Sequence, residues 1–209
     1  MKLKKKVKQR LLTIIIIILF VCLGILIYKN FSGKTKSVTE TKIVSKIDKY
    51  GYNLKENKPK QYKAYFKELE DILKEEEVNE EEYVKKITQL FIYDFYSLED
   101  KEAKTDIGGV EFVYKEALDN FLKNAQDTYY KYVESNIYND RNQKLPMVDQ
   151  VEIESVEKMP FAFGNQNDEG AYKVVANWTY TSDEYNNYQK NATLIFIHDE
   201  HRLSLVELQ

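Results

Sequence analysis

The sequence predicts an α+β protein: a single N-terminal transmembrane helix, then about three helices packed on a curved antiparallel sheet of about four strands. Three observations predict it. Residues 11–28 hold no charge and no proline. From Tyr62 to Val133 apolar residues recur at helical spacing, and beyond Pro146 they recur at every second position.

The apolar run lies between Arg10 and Lys29. Its eighteen residues at helical rise cover roughly 27 Å, close to the ~30 Å hydrocarbon layer of a bilayer. Ile14 through Val21 would show lipid-like side chains on every face, which a small domain could not cover. A cleaved signal has a shorter apolar region and a small-x-small site, whereas Tyr28-Lys29-Asn30-Phe31 follows here. A lipid-attachment signal built on Cys22 would need small residues before it, where Leu19-Phe20-Val21 stand. The expectation is therefore an uncleaved anchor over 11–28 with the lipid bilayer as its partner. Lys2, Lys4, Lys5, Lys6, Lys8 and Arg10 make residues 1–10 a basic cytoplasmic head, against Lys29, Lys34 and Lys36 on the other flank. This places the protein in the cell membrane with an extracytoplasmic tail.

Residues 29–58 are polar and thinly patterned, and they read as a stalk or linker that ends before Pro59, a residue suited to a helix start. The first helix follows from Tyr62, Tyr65, Phe66, Leu69, Ile72 and Leu73, with Glu70 and Lys74 four apart in the favourable order. Asn79 caps a second helix on Tyr83, Val84, Ile87, Leu90, Phe91 and Phe95. That helix turns apolar all round in "LFIYDFYSL", which makes it central. Val110, Val113, Tyr114, Ala117, Leu118, Phe121, Leu122, Ala125, Tyr129, Tyr132 and Val133 keep one face for a third helix of more than six turns. Four strands complete the domain: "VDQVEIESVEK", with a register slip near Ser155, then "AYKVVANWTYT", "YQKNATLIFIH" and "RLSLVEL". Their turns are "FGNQNDEG", "SDEYNN" and "DE".

Composition excludes some functions. The net charge is −3 and the basic residues crowd the head, so the outer domain carries no phosphate-binding face and no nucleic-acid partner is expected. The one cysteine, Cys22, lies in the apolar run, so the tail has no disulfide and no paired-cysteine metal site. Arg10, Arg141 and Arg202 are the only arginines among many Lys, Ile, Asn and Tyr, a bias that fits the AT-rich coding of a low-GC, Gram-positive bacterium. No cofactor is implied.

A single-pass anchor, a stalk, three helices and a curled antiparallel sheet over residues 59–209 resembles the extracytoplasmic NTF2-like (cystatin-like) domains of bacterial membrane proteins. Among these are the VirB8-like components of conjugative type IV secretion machines. The resemblance implies a scaffold that associates with itself and with other envelope proteins. It also admits a ligand-binding or catalytic use, since NTF2-like sheets and helices enclose a conical cavity in which enzymes place Asp, His or Tyr.

Several residues are candidates for chemistry. Asp94 falls on the apolar stripe of the second helix. There a carboxylate is either desolvated, with a raised pKa suited to a general acid or base, or bonded structurally to a tyrosine hydroxyl or an amide. His198 and His201 flank "DE" and either share a metal with Asp199 across a tight hairpin or decorate an exposed turn. "TDIGG", 105–109, either presents amides to an anion or simply starts the third helix; it lacks the residues of a P-loop. Trp178, Tyr180, Tyr185 and Tyr188 gather on one hairpin of a chain with 17 tyrosines. They serve as a partner- or glycan-binding surface, or Trp178 and Tyr180 belong to the core. The sequons at Asn177 and Asn191 carry no weight in a bacterium. The leading expectation is a membrane-anchored, non-enzymatic assembly protein. A pocket built around Asp94 and a glycan-facing module are the alternatives.

Overall fold

Pro59 stands at the N-cap of helix α1, Lys60–Leu73, whose Tyr62, Tyr65, Phe66, Leu69 and Leu73 are buried along one face. Glu70 and Lys74 form the expected ion pair at 3.1 Å. Helix α2, Glu80–Tyr96, is capped by Asn79, whose side chain accepts from the amides of Glu81 and Glu82. From Leu90 to Tyr96 every residue of α2 is buried, so the helix runs through the centre of the fold. This is a computed structural model, and it describes Val21 and residues 41–209. Residues 41–209 belong to one compact unit.

The sheet is an antiparallel meander in the order β3-β4-β5-β6: Val148–Phe163, Gln166–Tyr180, Asn191–Asp199 and Arg202–Leu208. The slip read at Ser155 is real, since the register shifts between Ile153 and Ser155 and again at two other places along β3. Each shift bends the strand. The first hairpin is longer than its turn signal implied: "FGNQNDEG" is strand except for Gly164 and Asn165, with Gly164 at φ 58°. The tip of this hairpin curls far round. Phe163 sits edge-to-face on Tyr114 with ring centroids 5.8 Å apart, and the Tyr114 amide bonds the Leu205 carbonyl on the opposite edge strand at 2.7 Å.

Three expectations need correction. The fold class included a membrane-spanning helix, but among the described residues no helix is long and apolar enough to cross a membrane. Each described helix is amphipathic or carries charge at its start, as α2 does at Glu80, Glu81 and Glu82. The run 11–28, apart from Val21, lies outside the described residues, as do the basic head and Cys22.

Second, the stretch read as a stalk is folded over 43–55. Strands β1, Ile43–Ile47, and β2, Tyr52–Lys55, form a hairpin across a turn at Gly51, which has φ 74°. Tyr50, Tyr52 and Leu54 from it are buried in the core, and the Tyr52 and Tyr83 hydroxyls meet at 2.6 Å.

Third, the long third helix is broken. Val110–Phe112 is a 3-10 turn, Val113 and Tyr114 run beside β6, and only Leu118–Asp127, helix α3, is α-helical. Helical spacing misled here because the apolar residues serve three structures. Phe112 is buried by the 3-10 turn and Val113 and Tyr114 by the extended segment, whereas Ala125 is the one buried residue of α3.

The hairpin and the cap give two checks. A chain starting at Lys60 is expected to lose cooperative thermal unfolding, while one starting at Thr41 keeps it, since fully burying even one large apolar side chain is worth about 1.5–3 kcal/mol. Asn79→Ala is expected to cost about 0.5–2 kcal/mol in urea unfolding, because two amides of the first turn lose their acceptor.

Candidate functional site

Asp94 is where two of the sequence candidates converge. Its carboxylate is buried, and the TDIGG loop lies directly on it. The Gly109 amide donates to Oδ2 at 2.9 Å, while Lys58 Nζ and Lys101 Nζ donate to Oδ1 at 2.5 and 3.0 Å. Lys101 is itself buried and also bonds Asp100 at 2.7 Å. The loop thus presents an amide to an anion, and that anion is the protein's own carboxylate.

Both glycines are required for this approach. A Cβ at Gly108 would stand 2.1 Å from the Asp94 carbonyl oxygen. One at Gly109, where φ is 73°, would meet the Phe91 ring at 2.6 Å. Tyr130 completes the lock, its hydroxyl accepting from the Gly108 amide at 3.1 Å and donating to the Phe95 carbonyl at 2.6 Å.

The electrostatics reverse the expected sense. Burial pushes the Asp94 carboxyl upward, but the charges of Lys101 and Lys58 and the bonds from Lys58 and Gly109 outweigh it. They hold the group well below the usual carboxylate range. For Lys101, burial works against the charged form, yet the charges of Asp94 and Asp100 raise it well above the usual range. Asp94 is a permanent anion between two ammonium groups. It has no spare proton near neutral pH.

The two histidines are not brought together. Asp199 pairs with Arg202, so the two-residue turn is Glu200-His201, with Glu200 at φ 56°, and His198 faces Leu203 across the ladder. His198 Nδ1 lies 2.9 Å from Asp168 and Nε2 lies 3.2 Å from Glu80 at the start of α2. Glu80 also accepts from Tyr172 and Lys158, at 2.8 and 3.2 Å. His201 instead packs edge-on against Tyr50, centroids 5.9 Å apart. Among the described residues no group of three or more His, Cys, Asp or Glu side chains is placed to hold a metal. Asp168 and Glu80 are distant from His198 in sequence, and no local pattern announces them.

The aromatic hairpin divides. Trp178 is core, its ring 4.2 Å from that of Tyr96. Tyr180 is half-buried and joins the Tyr129 hydroxyl at 3.0 Å and the Gln189 carbonyl at 2.6 Å. Tyr185 and Tyr188 pack on Tyr180 and on each other at 6.1 to 6.3 Å, and Tyr188 also reaches Tyr129. These rings brace one another instead of presenting a flat exposed face.

Tyr129 and Gln189, which touch that brace, line a groove of about 370 Å³ between α3 and β6. Its floor holds Phe95, Tyr96, Phe121 and Tyr129, and its rim holds Asn120, Asn124, Thr128, Gln189 and Gln209. Glu207 is the one formally charged side chain in the lining. Burial raises the Tyr96 and Tyr129 hydroxyls, so both stay neutral through the physiological range. The groove escaped sequence reasoning because Asn120, Asn124 and Gln189 look like ordinary solvent-facing residues until α3 is laid beside β6.

Asp94→Asn is expected to cost about 3–5 kcal/mol, because it leaves two ammonium groups facing a neutral amide. The Asp94 carboxyl is depressed, so its contribution is complete above the ordinary value of about 3.9 and fades as pH falls below it. The Lys101 amine is raised, so its contribution is complete below about 10.4 and fades as pH rises beyond it. Urea midpoints of wild type and variant should therefore differ by a constant amount from about pH 4 to about pH 10 and converge in stronger acid. Gly108→Ala, measured the same way, is expected to lose about 1–3 kcal/mol as the loop is forced off α2. In comparison with known proteins, no family model, no curated protein and no solved structure matches the chain.

Proposed function

We propose that the chain is a membrane-attached, non-enzymatic interaction protein whose folded unit is NTF2-like and docks other polypeptides outside the cytoplasm. An envelope assembly of the conjugation or type IV secretion kind suits it. The observation that carries this reading is the groove between α3 and β6. Its lining is neutral amides over aromatic rings, with one carboxylate, which suits grip on a polypeptide better than proton transfer. The arrangement of Asp94 supports it as well, since a carboxylate held between two lysines is a structural anion. The location rests on the basic head and the uncharged run 11–28. The same aromatic floor would also accept a small apolar ligand, which is the second reading.

Three measurements test the proposal. Full-length protein in its native membrane is expected to resist alkaline carbonate, and protease added to intact protoplasts is expected to remove residues beyond 41. Chemical crosslinking in the same membrane is expected to join the chain to itself or to other envelope proteins. A chain that stays monomeric, crosslinks to nothing and binds a small apolar compound in the groove would favour the second reading.

A further inference from the structure

We infer that the groove takes an extended polypeptide segment as an added strand along the outer edge of β6, an inference that rests on the interaction reading above. β6 is the edge strand of its sheet. Along its outer side the first half is already occupied: the Leu203 amide donates to the Tyr83 hydroxyl at 3.2 Å, and the Leu205 carbonyl accepts from the Tyr114 amide at 2.7 Å. Val113 and Leu205 form a parallel bridge, so the protein's own chain begins a fifth strand here. It then turns away at Lys115 into α3. From Val206 onward no described element pairs with the outer side of β6, and the groove follows that stretch. The vacant slot thus continues a strand position that the fold itself has started.

The occupant's chemistry follows from the walls. One wall is a strand edge, which only another extended backbone complements in full. The open stretch Val206–Leu208 spans about 10 Å, room for a strand of about three residues, since the Gln209 amide and carbonyl already bond Thr193. Alternate side chains of that strand meet the aromatic floor and must be apolar. The rim of Asn120, Asn124, Gln189 and Gln209 has no charge to pair, so a highly charged segment gains nothing there. Glu207 is the exception, and it calls for one lysine or arginine in the segment. α3 is suited to cover such a strand, because its Phe121 lines the groove and is only half-buried.

The test uses the full-length chain in mild detergent and a pool of blocked heptapeptides that alternate valine with threonine and carry one lysine. Backbone amide signals of residues 205–209 are followed during titration. Binding is expected to move those signals. N-methylation of alternate peptide residues, which spares the side chains and removes the backbone donors, is expected to weaken binding about tenfold. Glu207→Lys should weaken lysine peptides severalfold and improve the matched glutamate peptides. Asn124→Trp, a change at an exposed rim position, should block binding while the amide spectrum stays folded. No binding in the pool, equal binding of the N-methylated peptides, indifference to Glu207→Lys, or shifts confined elsewhere would each overturn strand addition. If the Asn124→Trp chain still crosslinks to its envelope partners, strand addition falls and the interaction reading stands. If the wild type crosslinks to nothing, the interaction reading itself falls.

Discussion

One buried carboxylate, that of Asp94, ties separate parts of the chain together. Asp94 sits on the most buried helix of the fold and would be intolerable there alone, since an isolated interior charge costs many kcal/mol. It is made tolerable by Lys58, from the segment before α1, by Lys101, from the loop after α2, and by the Gly109 amide. Each donor comes from a different part of the chain, so the ion cluster can be satisfied only when α1, α2 and the 99–112 loop are all in place. Two lysines face two aspartates, Asp94 and Asp100, and the cluster is neutral as a whole. Replacing such a cluster by apolar groups could match its stability, so what it supplies is uniqueness of arrangement.

From that clamp the geometry of the groove follows. Pinning Gly108 and Gly109 on α2 directs the next residues along β6, where Val113 bridges Leu205 before the chain turns into α3. Arginine side chains fasten neighbouring segments by donating to main-chain carbonyls. Arg141 bonds those of Glu99 and Lys101, and Arg202 bonds those of Tyr50 and Glu111. The tyrosines do similar work in the apolar interior. Tyr52, Tyr83, Tyr129 and Tyr130 each place a hydroxyl on a partner that burial would otherwise leave unpaired. The excess of tyrosine is thus largely a device for closing polar groups inside a core that has no disulfide to hold it.

A fold stiffened in this way leaves a groove whose lining is neutral apart from Glu207, and it leaves an edge strand half covered. Those features belong together: the segment that caps Leu205 is the same one that departs to form the groove's other wall. Strand addition as proposed above would tolerate variation in the side chains of the added segment while demanding an extended backbone.

Helices α1 and α2 and the four-strand meander could be read from local windows, because amphipathic period is a local property, whereas the predicted fold class also held a membrane-spanning helix that no described helix provides. The stripes of α1 and α2, the Asn79 cap, the Glu70–Lys74 pair and the slip at Ser155 are all visible in short windows of residues. The sequence also marked Asp94 as anomalous and the TDIGG loop as a possible anion binder. Packing, and no local window, makes each the other's partner, holds Asp94 as an anion, and turns His198 to Asp168 and Glu80 instead of to His201. It also makes 43–55 a hairpin and shares the apolar face running from Val110 to Val133 among three structures. The physical reason is the same in each case. Charge pairing and edge-strand pairing act between residues tens of positions apart, so their outcome is set by which surfaces packing brings within about 3 Å, and no local pattern records that.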